Sequence, residues 1–127
     1  MYSLPQEIEV WYVIPAVRRE LTRFLTEEYG MSYEKTGNAL GITKAAVSQY
    51  KKNKRAGKIK LNKRVIDRVE KSAKIIAKNK DKTTKEILGI LNFMRKNKIP
   101  FEVCDHTKEG EEKCKEINMA YEQYWEC

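Results

Sequence analysis

The sequence predicts an all-α fold: a bundle of short helices with a C-terminal helical extension. Three observations carry that expectation. Apolar residues recur at three- and four-residue spacing along nearly every segment of the 127-residue chain. Residues that start or stop helices, among them Ser32, Gly41, Thr43, Asn62 and Pro100, stand at the ends of those segments. Residues 32–52, SYEKTGNALGITKAAVSQYKK, hold two short helical patterns hinged at Gly41-Ile42, the second ending in a basic run. That is the spacing of a helix-turn-helix.

At the N-terminus, Ser3-Leu4-Pro5-Gln6 reads as a helix start, with Pro5 near the first turn and Gln6 in the capping-box position. Ile8, Trp11, Ile14, Val17 or Arg18, Leu21 and Phe24/Leu25 then follow helical spacing. Pro15 should kink or restart the helix, giving one bent helix or two abutting ones. IEVWYVI is β-branched and aromatic enough that a strand is the alternative there. Gly30 closes the segment.

Ser32 can cap the next helix, although Lys35 replaces the Glu or Gln of a full capping box. Ala39 and Leu40 give it an inner face, Gly41 supplies the positive φ of a sharp turn, and Ile42 plugs the corner. Thr43 caps the second helix, about 43–52, whose Val47 and Tyr50 fall on one side. Gly37 is out of place in a helix, where glycine costs about 1 kcal/mol against Ala, so a close approach is expected there.

NKRAGK is then a basic turn, and KIKL sends Ile59 and Leu61 inward on alternate positions. Asn62 caps a helix with the stripe Val65, Val69, Ser72/Ala73 and Ile76, and KNKDKT reads as a solvated connector. Thr83 or Thr84 caps a further helix, with Ile87, Ile90/Leu91 and Met94 inside, stopped before Pro100. A loop carries Cys104 and His106, and residues 109–125 form an acidic helix with Cys114, Ile117, Tyr121 and Tyr124 along one side. The resulting division is 1–79 for the helix-turn-helix unit and 80–127 for an extension serving dimerisation or sensing.

The motif residues support a resemblance. Gly37, Leu40-Gly41-Ile42, Thr43 and Val47 resemble the helix-turn-helix of the Cro and phage-repressor (XRE-like, λ-repressor-like) type, with Thr36 departing from a position that is usually apolar. EVWYVIPAVRREL and ITKAAVSQY resemble a group of predicted archaeal transcriptional regulators over roughly the first half of the chain. The resemblance implies a sequence-specific double-stranded-DNA-binding regulator of transcription.

Charge agrees with it. The chain holds 26 Lys and Arg against 18 Asp and Glu, net +8, which favours a polyanionic partner. Residues 1–64 hold 13 against 6, a balance of +7; residues 99–127 hold 3 against 8, a balance of −5. The positive field therefore coincides with the motif, although a lysine-rich surface can also serve solubility alone.

A recognition helix enters the major groove N-terminus first. Lys44, Ala45 and Gln49 are then the candidates for base contacts: Lys donates to guanine, Gln pairs with adenine, and Ala meets a thymine methyl. Thr43, Ser48, Lys51, Lys52, Lys54 and Arg55 are the candidates for phosphate contacts, against the alternative of solvated side chains. One motif covers few base pairs, so a homodimer on a palindrome is expected. The aromatic N-terminal segment or the helices after Thr83 are its candidate interface.

Cys104, His106, Cys114 and Cys127 form the one constellation suited to zinc or an iron–sulfur cluster. Only Cys104 and His106 are close in sequence, and Cys114 also fits an apolar stripe as a small hydrophobe, so the expectation is no cofactor. One His, no nucleophile motif and no phosphate-cradling glycine loop argue against an enzyme. No apolar run approaches the roughly 20 residues that span a bilayer, and no signal-peptide layout opens the chain, so a cytoplasmic protein away from membranes is expected. The alternative function is an antitoxin-like or bridging interaction module whose acidic, aromatic C-terminal helix docks on a partner and whose DNA binding is secondary.

Overall fold

A computed structural model describes residues 9–52, 59–97 and 102–103. It is an all-α helix-turn-helix bundle, as the sequence predicts. The described helices are α1 (Ile14–Glu27), α2 (Tyr33–Leu40), α3 (Lys44–Lys51), α4 (Lys63–Lys78) and α5 (Thr83–Asn97). A two-residue antiparallel ladder joins β1 (Ile59–Lys60) to β2 (Glu102–Val103), pairing Ile59 with Val103 and Lys60 with Glu102.

The proline-containing first segment is helical and not a strand. Glu9–Val13 forms a π-helical turn that abuts α1, whose second residue is Pro15. Pro15 has no N–H to offer the carbonyl four residues back, which is the condition under which the regular ladder gives way. The expected helix start at 3–6 and Ile8 lie outside the described residues. Gly30, at φ 62°, follows α1 and lets the Met31 N–H reach the Leu25 carbonyl at 3.0 Å.

Caps behave as read, with one exception. Asn62 Oδ1 accepts from the Arg64 N–H at 2.9 Å, and Val65, Val69, Ser72, Ala73 and Ile76 of α4 are all buried. Thr83 is not an N-cap. It is already α-helical, with φ −55° and ψ −51°, and its hydroxyl donates to the Ala39 carbonyl at 2.6 Å while lying 2.9 Å from the Lys80 carbonyl. Thr84 is likewise inside α5. The connector before it is ordered: Lys80–Lys82 is a 3₁₀ turn, and Asn79 Oδ1 accepts from the Asp81 N–H at 3.0 Å.

One core joins α1, α2, α4 and α5. Val17, Leu21 and Leu25 of α1, Leu40 of α2, Val69 and Ile76 of α4, and Ile90 and Met94 of α5 belong to a single buried cluster. Each such side chain contributes about 1.5–3 kcal/mol by leaving water. The boundary expected at 79/80 therefore does not separate two cores, because α5 closes the one that α1 and α4 begin. A polar seam also ties α4 to α5: Ser72, fully buried, donates to Glu86 Oε1 at 2.8 Å, and Arg68 reaches both. No helix among the described residues is long and apolar enough to cross a membrane.

Candidate nucleic-acid interface

The helix-turn-helix is set by local chemistry. Ser32 Oγ accepts from the Lys35 N–H at 3.1 Å and starts α2; Thr43 Oγ1 accepts from the Ala46 N–H at 3.0 Å and starts α3. Between them Gly41 takes φ 70°, and the Ile42 N–H bonds back to the Gly37 carbonyl at 2.9 Å. A Cβ on Gly37 would stand 2.7 Å from the Ile42 carbonyl oxygen, inside any tolerable contact. The close approach inferred from a mid-helix glycine is thus against the turn that opens α3. Because the obstruction is backbone, it fixes how near the two helices come.

Helix α3 divides sharply. Ala46, Val47 and Tyr50 are buried, while Lys44 and Ala45 at its N-terminus are exposed, and the helix carries no acidic residue. Gln49 and Ser48 are partly buried, and Gln49 already takes part in an interaction within the fold. Thr43 is exposed, and since its oxygen accepts in the cap, its hydroxyl proton is left to donate outward. Lys52, the C-cap residue, is exposed.

Lys51 differs from the solvated or phosphate-bound lysine expected of it. Its Nζ lies 2.9 Å from Glu27 Oε1 at the end of α1. The hydrogen bond from Lys51 holds the Glu27 carboxyl below the usual carboxylate range. The pair latches α3 to α1 and removes part of the positive charge from its C-terminal turn. Sequence reasoning missed Glu27; no pattern links residues 24 positions apart.

Lys54 and Arg55 lie outside the described residues, as do the candidate metal ligands Cys104, His106, Cys114 and Cys127. Among the described residues no group of three or more His, Cys, Asp or Glu could hold a metal ion. An open groove of about 470 Å³ between α2 and the end of α4 is lined in part by Lys35, Lys78 and Lys80. Asp81 on its wall and the carbonyl end of α4 offset those lysines, so it gathers no directed donor set.

Compared with known proteins, the chain matches no family model, no curated protein and no solved structure.

Proposed function

We propose that the chain is a sequence-specific, double-stranded-DNA-binding regulator of transcription that inserts α3 into the major groove. One observation carries the reading: a short helix whose apolar side is buried presents Lys44 and Ala45 at an exposed, acid-free N-terminus. A helix held end-on in this way can reach base edges, and its flanking cations can sit on phosphates. Lys44, Ala45 and Gln49 read bases, with Gln49 turning its amide outward to do so. Thr43, Ser48, Lys52, Lys54 and Arg55 fix register on the backbone, and Lys51 joins them only when it leaves Glu27. Two copies bind as a homodimer on a palindrome with half-sites about 34 Å apart. No catalysis and no cofactor are invoked.

The test is selection of duplexes from a random pool by the purified full chain, followed by affinity measurement against salt. The reading expects an enriched site and an affinity that falls steeply as salt rises. Binding that shows neither sequence preference nor salt dependence overturns it. Co-purification with a small partner protein, without duplex binding, would support the interaction-module alternative instead.

A further inference from the structure

Glu20, Arg23 and Glu27 stand at i, i+3 and i+7 on α1, so their side chains share one ridge, and the ridge ends where Lys51 of α3 meets Glu27. Arg23 is held along it from two directions. Its Nε donates to Glu20 Oε2 at 2.8 Å, and its guanidinium carbon lies 4.4 Å from the centre of the Phe24 ring. Glu20 is itself buried, with Arg19 3.7 Å from its other oxygen, so this anchor is part of the fold. From that position Arg23 Nη1 stands 4.0 Å from Glu27 Oε2, while Glu27 Oε1 accepts from Lys51 Nζ at 2.9 Å. One exposed carboxylate thus lies between an anchored cation on its own helix and a cation on a flexible four-carbon stem at the end of α3. The Lys51 hydrogen bond and, more weakly, the charge of Arg23 both hold that carboxyl below its ordinary range.

We infer that Arg23 is a positioning residue for Lys51, taking over the Glu27 carboxylate when Lys51 leaves to meet a phosphate. Two pairings exchange: Lys51 trades a carboxylate oxygen for a phosphate oxygen, and Glu27 trades Lys51 for Nη1 of Arg23. A side-chain rotation of Glu27 is enough to close the 4.0 Å separation. Arg23 acts on both sides of the exchange, because its charge repels Lys51 while the latch is closed and keeps Glu27 paired once it opens. Without Arg23 the carboxylate has Lys51 and water alone, and it holds Lys51 harder. The inference rests on the DNA-binding reading of α3 and names the residue that makes its C-terminal turn available to a duplex. Exposed ion pairs are individually weak, so the effect on duplex affinity is roughly two- to fivefold.

The test is a set of double-mutant cycles on the full chain, with affinity for a random duplex measured at about 50 mM salt and well below each variant's melting temperature. Arg23→Gln is made in the parent, in Glu27→Gln and in Lys51→Gln. It should weaken binding in the parent by roughly two- to fivefold more than in either of the other two, since there the latch is already absent. A role of Arg23 in folding alone, or a phosphate contact of its own, would move all three by the same factor. Where Arg23→Gln leaves buried Glu20 without its anchor and the protein does not fold, Glu20→Gln combined with Arg23→Gln removes the orphaned carboxylate and is compared in the same three backgrounds.

An equal effect in all three backgrounds, no effect in the parent, or a Lys51→Gln protein that binds as tightly as the parent overturns the inference while leaving the regulator reading in place. Failure of the parent to bind duplex removes the regulator reading, and the inference with it.

Discussion

Thr83 donates from its hydroxyl to the carbonyl of Ala39 at 2.6 Å, across 44 residues of chain. The bond joins the first turn of α5 to α2, the helix that precedes α3, at a site where both groups are buried. It makes α5 a buttress of the motif. Thr83→Val keeps the shape and deletes the donor, leaving the Ala39 carbonyl unpaired. Urea unfolding should show a loss of about 1–3 kcal/mol, with Thr83→Ser near the parent. A valine variant as stable as the parent would show the bond to be dispensable.

Thr36 presents the reverse situation. It is fully buried, and its Oγ1 has no hydrogen-bond partner among the described residues. A buried hydroxyl without a partner is a net cost, so Thr36→Val should raise stability by about 1 kcal/mol while the fold is unchanged. Thermal melts of the two proteins check the sign. The same position is the one at which the sequence departs from the apolar residue usual in phage-repressor motifs.

The two glycines of the motif should fail differently. Gly37→Ala drives a Cβ against the Ile42 carbonyl, and overpacking of that kind costs about 1–3 kcal/mol, against which helix propensity returns about 1. It should also move α3 and weaken duplex binding beyond the stability loss. Gly41→Ala meets no atom within 4 Å but must hold φ 70°, a strain of about 1–2 kcal/mol with α3 undisturbed. Binding measured well below each variant's melting temperature separates the two.

Glu27 and Lys51 make a pH-dependent latch. The folded-state pKa of Glu27 lies below its ordinary value of 4.5, so the pair stabilises the fold at neutral pH and loses that contribution as pH falls below 4.5 through the folded pKa. Glu27→Gln should be less stable than the parent at pH 7 and indistinguishable from it near about pH 2, where both side chains are uncharged. The same substitution frees Lys51, so duplex binding at pH 7 should tighten. Unchanged binding would mean that Lys51 reaches no phosphate.

On DNA, Gln49→Ala should relax preference at one position of the selected site and cost roughly 1–3 kcal/mol there. Lys52→Ala should weaken all duplexes alike and flatten the salt slope. If both variants match the parent on selected and random duplexes, α3 is not the reading helix.

What was legible in the sequence was local. Ser32, Thr43 and Asn62 cap from within three residues, Gly41 declares its own φ, and the α4 stripe follows from a 3.6-residue period. The site's exposed and buried sides were readable for the same reason. Contacts between distant segments were not. Nothing near Lys51 announces Glu27, and nothing near Thr83 announces Ala39, because helix packing chooses those partners. Thr83 looked like a cap since a hydroxyl before an apolar run has that use, and packing gave it another. The connector at 79–82 read as solvated from its lysines, while Asn79 supplied a turn that composition alone does not reveal.

Helix α3 has only eight residues, three of them buried. An isolated helix of that length is marginal in water, since helices below about 12–15 residues rarely hold by themselves. Residues 43–52 excised as a peptide, or grafted onto an unrelated scaffold, would thus lose the orientation of Lys44 and Ala45 along with the shape. The surface proposed to read bases is a property of the bundle, and changing its preference would mean changing outward side chains while Ala46, Val47 and Tyr50 stay where they anchor it.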